Sequence, residues 1–176
     1  MIKLILGLYI PEDREMIEIR KEGDSKNYYN YEGIISYVPS ENFVFSGTIK
    51  DNICMSCPFE ENKFESACKA ANIDQLVSSF KLKENEAIKE SGNNLSMGQK
   101  QRLAIARAIY ADTSIIIFDE PTANLDIESI NLFKETIQNL SKGKICIIVT
   151  HDANIASICD TVYQLEEKHL TLLEEK

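Results

Sequence analysis

The chain has 176 residues, 44% of them hydrophobic and 27% charged, with a formal net charge of -9. That length suits one domain with a packed core. The acidic balance argues against a nucleic-acid-binding surface, which needs clustered Lys and Arg against phosphate, and no run approaches the ~18 apolar residues of a membrane span.

Residues 1–9 are apolar but lack a basic leader and a small-residue cleavage site, so they read as a buried helix and not as a signal peptide. Pro11-Glu12-Asp13 is a turn, Met16–Arg20 alternates weakly like a strand, and Lys21–Glu32 is a polar, tyrosine-rich connection. Gly33–Pro39 reads as a strand stopped by proline. From Thr48 to Ala111 the pattern is helical, with Phe64, Ala67, Cys68, Ala71 and Ile73 on one face and no β-rich run. Ser96–Ala111 forms its last helix, with Ala104, Ile105, Ala108 and Ile109 inward. A strand at 114–118, a helix at 127–140, a strand at 145–149, a helix at 153–159 and a hairpin at 161–173 follow. Alternating strands and helices predict an α/β fold with a parallel sheet. The all-helical middle predicts an inserted subdomain. The boundaries are 1–47 for a first core portion, 48–112 for the helical subdomain and 113–176 for a second core portion.

Five cysteines stand at 54, 57, 68, 146 and 159. Cys54 and Cys57 have C-x-x-C spacing, but a structural zinc site needs two more ligands. Cys68 is the nearest other candidate, and His151 and His169 are remote. The spacing therefore reads as reduced, unpaired thiols in a cytosolic protein.

Three segments carry chemistry. Ser96-Met97-Gly98-Gln99 contains an S-x-x-Q capping box, which leaves the first amides of a helix available to an anion. Gly98 permits close backbone approach. The strand ending at Phe118 is followed by Asp119-Glu120, and ligands of such sheets gather at the carboxyl ends of strands. One carboxylate can hold Mg²⁺ and a second can accept a proton from an attacking water. Taken bare, the pair reads slightly better as solvated carboxylates at a strand end. His151, just past an apolar strand, is a candidate hydrogen-bond donor to phosphate. Against these stands one absence. Glycines occur at 7, 23, 33, 47, 92, 98 and 143, and no pair has the spacing of G-x-x-x-x-G-K-[ST]. The single Gly-Lys step, Gly143-Lys144, runs on into Ile145.

The order of these segments resembles the nucleotide-binding domain of ABC transporters, of exporter type. Leu95-Ser96-Met97-Gly98-Gln99 resembles the signature motif, with Met97 where the family commonly has glycine, and the run from Lys100 to Ala108 continues in the family's manner. Ile115–Glu120 resembles a Walker B strand, and Pro121–Asp126 a D-loop. Ile145–Asp152 resembles the strand and switch histidine of the H-loop. Ile35–Ile49 resembles the Q-loop region, with Ser40 in place of the usual glutamine, and Phe45–Ile53 resembles exporters most specifically. Glu90-Ser91-Gly92 resembles the exporter X-loop.

The resemblance implies an incomplete P-loop NTPase core that binds ATP and Mg²⁺. Asp119 would hold the metal, Glu120 would be the general base and His151 would touch the γ-phosphate. Ser96, Met97, Gly98 and Gln99 would grip ATP held by a second nucleotide-binding domain in a head-to-tail dimer, with Asp126 at the interface. Ser40 is too short to reach as the glutamine does. Implied too are a transmembrane-domain partner, a cytoplasmic location at the inner face of the membrane, and a chain truncated just after the phosphate loop, with residues 1–9 matching the helix that follows it. Two functional readings remain: a portion of an exporter ATPase, inactive alone, or a native non-catalytic module completing a partner's ATP site. A DNA-repair ABC ATPase fits less well, because the chain is acidic and has no long heptad segment.

Overall fold

The structure, a computed structural model, describes residues 2–6, 8, 33–41, 43–167 and 169–176. In chain order its elements are α1 (Ile2–Ile5), β1 (Ile35–Val38), β2 (Gly47–Thr48), α2 (Ile49–Cys54), α3 (Glu61–Ala70), α4 (Asp74–Ser79), β3 (Ala87–Ile88) and α5 (Met97–Tyr110). Then come β4 (Ile115–Asp119), α6 (Ile127–Leu140), β5 (Ile145–Val149), α7 (Ala153–Ala156), β6 (Thr161–Glu166) and β7 (His169–Glu175). Short 3₁₀ turns occupy Lys83–Asn85 and Glu90–Gly92. The expected strand at Met16–Arg20 and turn at Pro11 lie outside the described residues.

The fold is α/β, with β1, β4 and β5 forming a parallel sheet in the order β1-β4-β5. β4 is the central strand. Ile116, Ile117 and Phe118 are fully buried because a parallel strand between two neighbours is covered on both faces, which is why the run is continuously apolar. Burying each such side chain contributes about 1.5–3 kcal/mol. Phe118 meets Phe133 of α6 edge-on, with ring centroids 5.5 Å apart, fixing that helix over the sheet. β5 lies at the sheet's edge and is only partly covered.

α5 is the spine of the helical region. It packs on α2, α3 and β1. Its buried residues include Leu103, Ala104, Ile105, Ala106, Ala108 and Tyr110, and the alanines let neighbouring backbones approach closely. Arg107 of α5 donates to Asn52 O at 2.6 Å, to Phe43 O at 2.9 Å and to Asn52 Oδ1 at 3.2 Å. Its guanidinium also lies 5.8 Å from the Phe45 ring centroid. One side chain thus joins α5 to the whole turn between β1 and α2.

The expected helical stretch from 48 to 111 is divided. Left-handed residues at Met55 (φ 47°) and Asn72 (φ 54°) end α2 and separate α3 from α4. The stretch also takes part in a two-residue antiparallel pairing, Gly47 with Ile88 and Thr48 with Ala87, where no strand was expected. Two-residue strands carry no periodicity to read. Near the C-terminus α7 is shorter than the expected 153–159, because the chain turns again after Ala156. β6 and β7 form the expected hairpin, pairing Tyr163 with Leu172 and Leu165 with Leu170. The cysteines are unpaired.

Candidate functional site

The parallel register decides where the site lies. Val38 stands opposite Phe118, and Asp119 opposite Val149, so the carboxyl ends of β1, β4 and β5 open on one edge. Ser40, Asp119, Glu120 and His151 therefore share that edge, where ligands of parallel sheets bind.

Asp119 is the last residue of β4 and is half-buried. Tyr37 of β1 donates its hydroxyl proton to Asp119 Oδ2 at 2.8 Å. Desolvation, then the hydrogen bond to Asp119 and its negative charge, push the Tyr37 hydroxyl up to about 12. Tyr37 therefore remains a proton donor across the physiological range.

Glu120 follows with φ +46°, a left-handed conformation unusual for a residue with a side chain. It costs roughly 1–2 kcal/mol. The surroundings that hold it are visible: Glu120 N donates to Val149 O at 2.8 Å, and Glu120 O accepts from Ala123 N at 3.2 Å. This turn sends the carboxylate toward β5's end. There Glu120 Oε1 lies 3.4 Å from His151 Nε2, and Oε2 accepts from His151 N at 3.4 Å. Both contacts are longer than the 2.7–2.9 Å of a tight charge-assisted bond, so the pair is near but not clamped. The His151 ring is almost wholly exposed, with 98% of its side-chain surface accessible, so it can turn toward a ligand. Asp152 caps α7 by accepting from Asn154 N at 2.8 Å and anchors the backbone just beyond the histidine.

A second cluster forms around the start of α5. Ser96 Oγ accepts from Gln99 N at 3.2 Å, and Ser96 N donates to Gln99 Oε1 at 2.9 Å, completing the expected capping box. Gln99 N is thereby satisfied, whereas the amides of Met97 and Gly98 have no partner within the helix. Such a helix end favours an anion. Gly98 meets α6 so closely that an added Cβ would stand 2.4 Å from Ser129 Oγ. Asp126 caps α6, accepting from Ser129 N at 2.7 Å. The Ser129 backbone N–H, then its hydroxyl, hold the Asp126 carboxyl below the ordinary carboxylate value, with a smaller contribution from the charge of Arg102. Buried Gln101 donates from Nε2 to Pro121 O, tying the helix to the turn that leaves Glu120.

The structure thus brings Asp119, Glu120 and His151 together. It places Ser96, Met97, Gly98, Gln99 and Asp126 in a neighbouring group, linked to the first through Gln101 and Pro121. Among the described residues no hydrogen bond or ion pair joins Ser96, Met97 or Gln99 to Asp119, Glu120 or His151. Ser40 is exposed and makes no side-chain hydrogen bond among the described residues. Nothing local in the chain marks Tyr37 as part of the site. Its distance from Asp119 in the chain hides the contact, which depends on strand order. Gln101 and Ser129 were likewise invisible as partners, although a polar Gln on the apolar face of α5 was a possible signal.

Two clusters of this kind can carry separate tasks, one handling a cation and a proton, the other offering amides to an anion. A family model described as ABC transporter matches residues 1–123. The chain is 38% identical over 171 residues to the lactococcin-G-processing and transport ATP-binding protein LagD of Lactococcus lactis subsp. lactis, covering 95% of this chain and 24% of that one. It is 36% identical over 118 residues to the sublancin-168-processing and transport ATP-binding protein SunT of Bacillus subtilis (strain 168), covering 67% of this chain and 16% of that one. In three dimensions it resembles a bacterial Atm1-family ABC exporter with ATP bound, with a TM-score of 0.71 and 27% identity over 78% of this chain and 24% of that chain. These 176 residues therefore correspond to a minor part of the length of the relatives they match, and by the family match and these identities the chain belongs to the ABC transporter family.

Proposed function

We propose that this chain is the ATP-binding and ATP-hydrolysing portion of an ABC exporter, working head to tail with a second nucleotide-binding domain and beneath a transmembrane domain at the cytoplasmic face of a membrane. The observation that carries the reading is the shared edge of Asp119, Glu120 and His151 beside the capped start of α5.

In this mechanism Glu120 accepts a proton from the water that attacks the γ-phosphorus, while the bond to the ADP oxygen breaks. His151 donates a hydrogen bond to a γ-phosphate oxygen, and its exposed ring has the freedom to do so. Among the described residues no group of three or more His, Cys, Asp or Glu side chains could cage a metal. One carboxylate nevertheless suits Mg²⁺, which keeps several waters and takes its other ligands from phosphates. Asp119, with one oxygen held by Tyr37 and the other without a protein partner among the described residues, fits that requirement. The metal, when bound, neutralises charge on the β- and γ-phosphate oxygens. Ser96, the free Met97 and Gly98 amides, and Gln99 grip the γ-phosphate of ATP held by the opposite domain, with Asp126 close to the interface. Ser40 occupies the Q-loop place and its short hydroxyl does not substitute for glutamine, so hydrolysis or coupling is slower than with glutamine there.

The 176 residues contain no phosphate-gripping loop motif. Without that loop's amides and lysine, the β- and γ-phosphates lack their main cradle, and the isolated chain neither binds ATP tightly nor turns it over. The test is an ATP turnover assay on the pure chain, with Glu120→Gln as control. No turnover is expected, and turnover that Glu120→Gln abolishes would contradict the reading.

Ser40 at the Q-loop place also supports a second reading, a non-catalytic module that lends its α5 start to another subunit's ATP. Ser96→Arg should then block that partner's ATPase. Undiminished partner activity would count against it.

A further inference from the structure

We propose that Tyr37 is a positioning residue for the Asp119 carboxylate, fixing one of its oxygens so that the other is presented to the nucleotide's cation. The inference rests on the reading of Asp119 as the residue that holds that cation.

The argument begins with register. Tyr37 stands opposite Ile117 on the neighbouring parallel strand, and Asp119 lies two residues further along β4. Residues two apart on a strand share a face, so Tyr37 and Asp119 project from the same side of the sheet. Diagonal neighbours on a sheet are roughly 7–8 Å apart. A serine or threonine hydroxyl at position 37 is too short for that reach, whereas a tyrosine hydroxyl spans it. The hydroxyl arrives at Asp119 Oδ2 at 2.8 Å, an ordinary, well-made O–H···O bond.

The consequence is selective. Oδ2 has a protein donor, and Oδ1 has none among the described residues. A carboxylate fixed through one oxygen loses less freedom when the other meets a cation. Donors behind ligating groups act in this way, and removing them commonly costs 10–100-fold in metal affinity or activity. Ser40, two residues past the end of β1, lies near the same edge, but that side chain makes no hydrogen bond among the described residues. The polar contact that β1 makes with the carboxylate edge therefore comes from Tyr37, three residues before the Q-loop position.

The experiment uses the transporter assembly containing this chain, as wild type, Tyr37→Phe and Asp119→Asn. Binding of a fluorescent trinitrophenyl-ATP is titrated with Mg²⁺, and turnover is measured in parallel. Phenylalanine keeps the ring and deletes only the donor, so melting temperature reports that the fold is intact. Tyr37→Phe should need about 10-fold more Mg²⁺ for half-maximal nucleotide binding, with kcat at saturating Mg²⁺ close to wild type. An unchanged Mg²⁺ requirement in Tyr37→Phe, beside a shifted one in Asp119→Asn, overturns the positioning role alone. An unchanged requirement in both variants overturns the assignment of Asp119 as well.

Discussion

Gly98 and Ser129 hold the start of α5 against the start of α6. A Cβ at Gly98 would stand 2.4 Å from Ser129 Oγ and 3.3 Å from Ser129 Cβ. Ser129 is buried and lies in the first turn of α6, where its backbone N–H holds the Asp126 cap, so an added methyl would press on a packed helix start. Glycine at position 98 is thus required by the close approach of two helices, independently of any ligand.

Gly98→Ala should therefore destabilise the chain by about 1–3 kcal/mol, the range for overpacking a tight contact. Adding Ser129→Ala removes the nearer atom and should restore part of the loss. Urea midpoints of the single and double variants measure the coupling. Equal and additive effects would show that the two residues do not constrain each other.

Arg107 makes a second stabilising link, between α5 and the turn that runs from Phe43 to Asn52. Burial lowers its guanidinium pKa from the ordinary arginine value, and the group remains charged. It satisfies two backbone carbonyls and the Asn52 amide oxygen, while the Asn52 side chain holds Phe45 N at 3.1 Å and Phe45 O at 2.8 Å. Arg107→Ala should cost roughly 3 kcal/mol, since buried acceptors lose a charged donor. Arg107→Lys should recover little, because an ammonium cannot reproduce the planar fork. Equilibrium unfolding decides this, and a lysine variant as stable as wild type would contradict it.

How much of this could be read in the chain depends on distance in sequence. β4 and β5 were legible as apolar runs, and α5 and α6 as capped periodic segments, because local chemistry specifies each. The Ser96–Gln99 box formed as its spacing indicated. The alternation of strands and helices also foretold the parallel sheet. What stayed hidden depends on contacts across the fold. The Tyr37 bond to Asp119 spans 82 positions, and Arg107 reaches Phe43 across 64. The β2–β3 pair is too short to leave a pattern. The proximity of Glu120 and His151 was foreseeable only by resemblance, because it depends on the left-handed turn at Glu120 as well as on strand order.

Acid should weaken the fold through three carboxylates. Asp51 is held below its ordinary value of 3.8 by the Thr48 hydroxyl and then the Thr48 N–H. Asp112 is lowered by the hydrogen bond from Lys144 and then by its charge, and Asp126 by Ser129. In each case the folded state binds the proton less tightly than the unfolded state. Their contribution is complete above about pH 4, near the unfolded carboxylate value, and is lost as pH falls through the lower folded values. Urea unfolding from pH 7 to pH 2 should show stability falling below that point. Asp126→Asn, which can still cap α6 but cannot titrate, should show a shallower fall, and an identical slope would contradict the linkage.

The most direct test of the catalytic assignment is to measure ATP binding and turnover in one preparation of the transporter assembly, with Glu120 intact and with Glu120→Gln. If Glu120 accepts the water's proton, the variant retains nucleotide binding and loses roughly 100–10,000-fold in turnover, the usual worth of a positioned base. Turnover at the wild-type rate with binding preserved would show that Glu120, and with it the edge shared by Asp119 and His151, does not carry the chemistry.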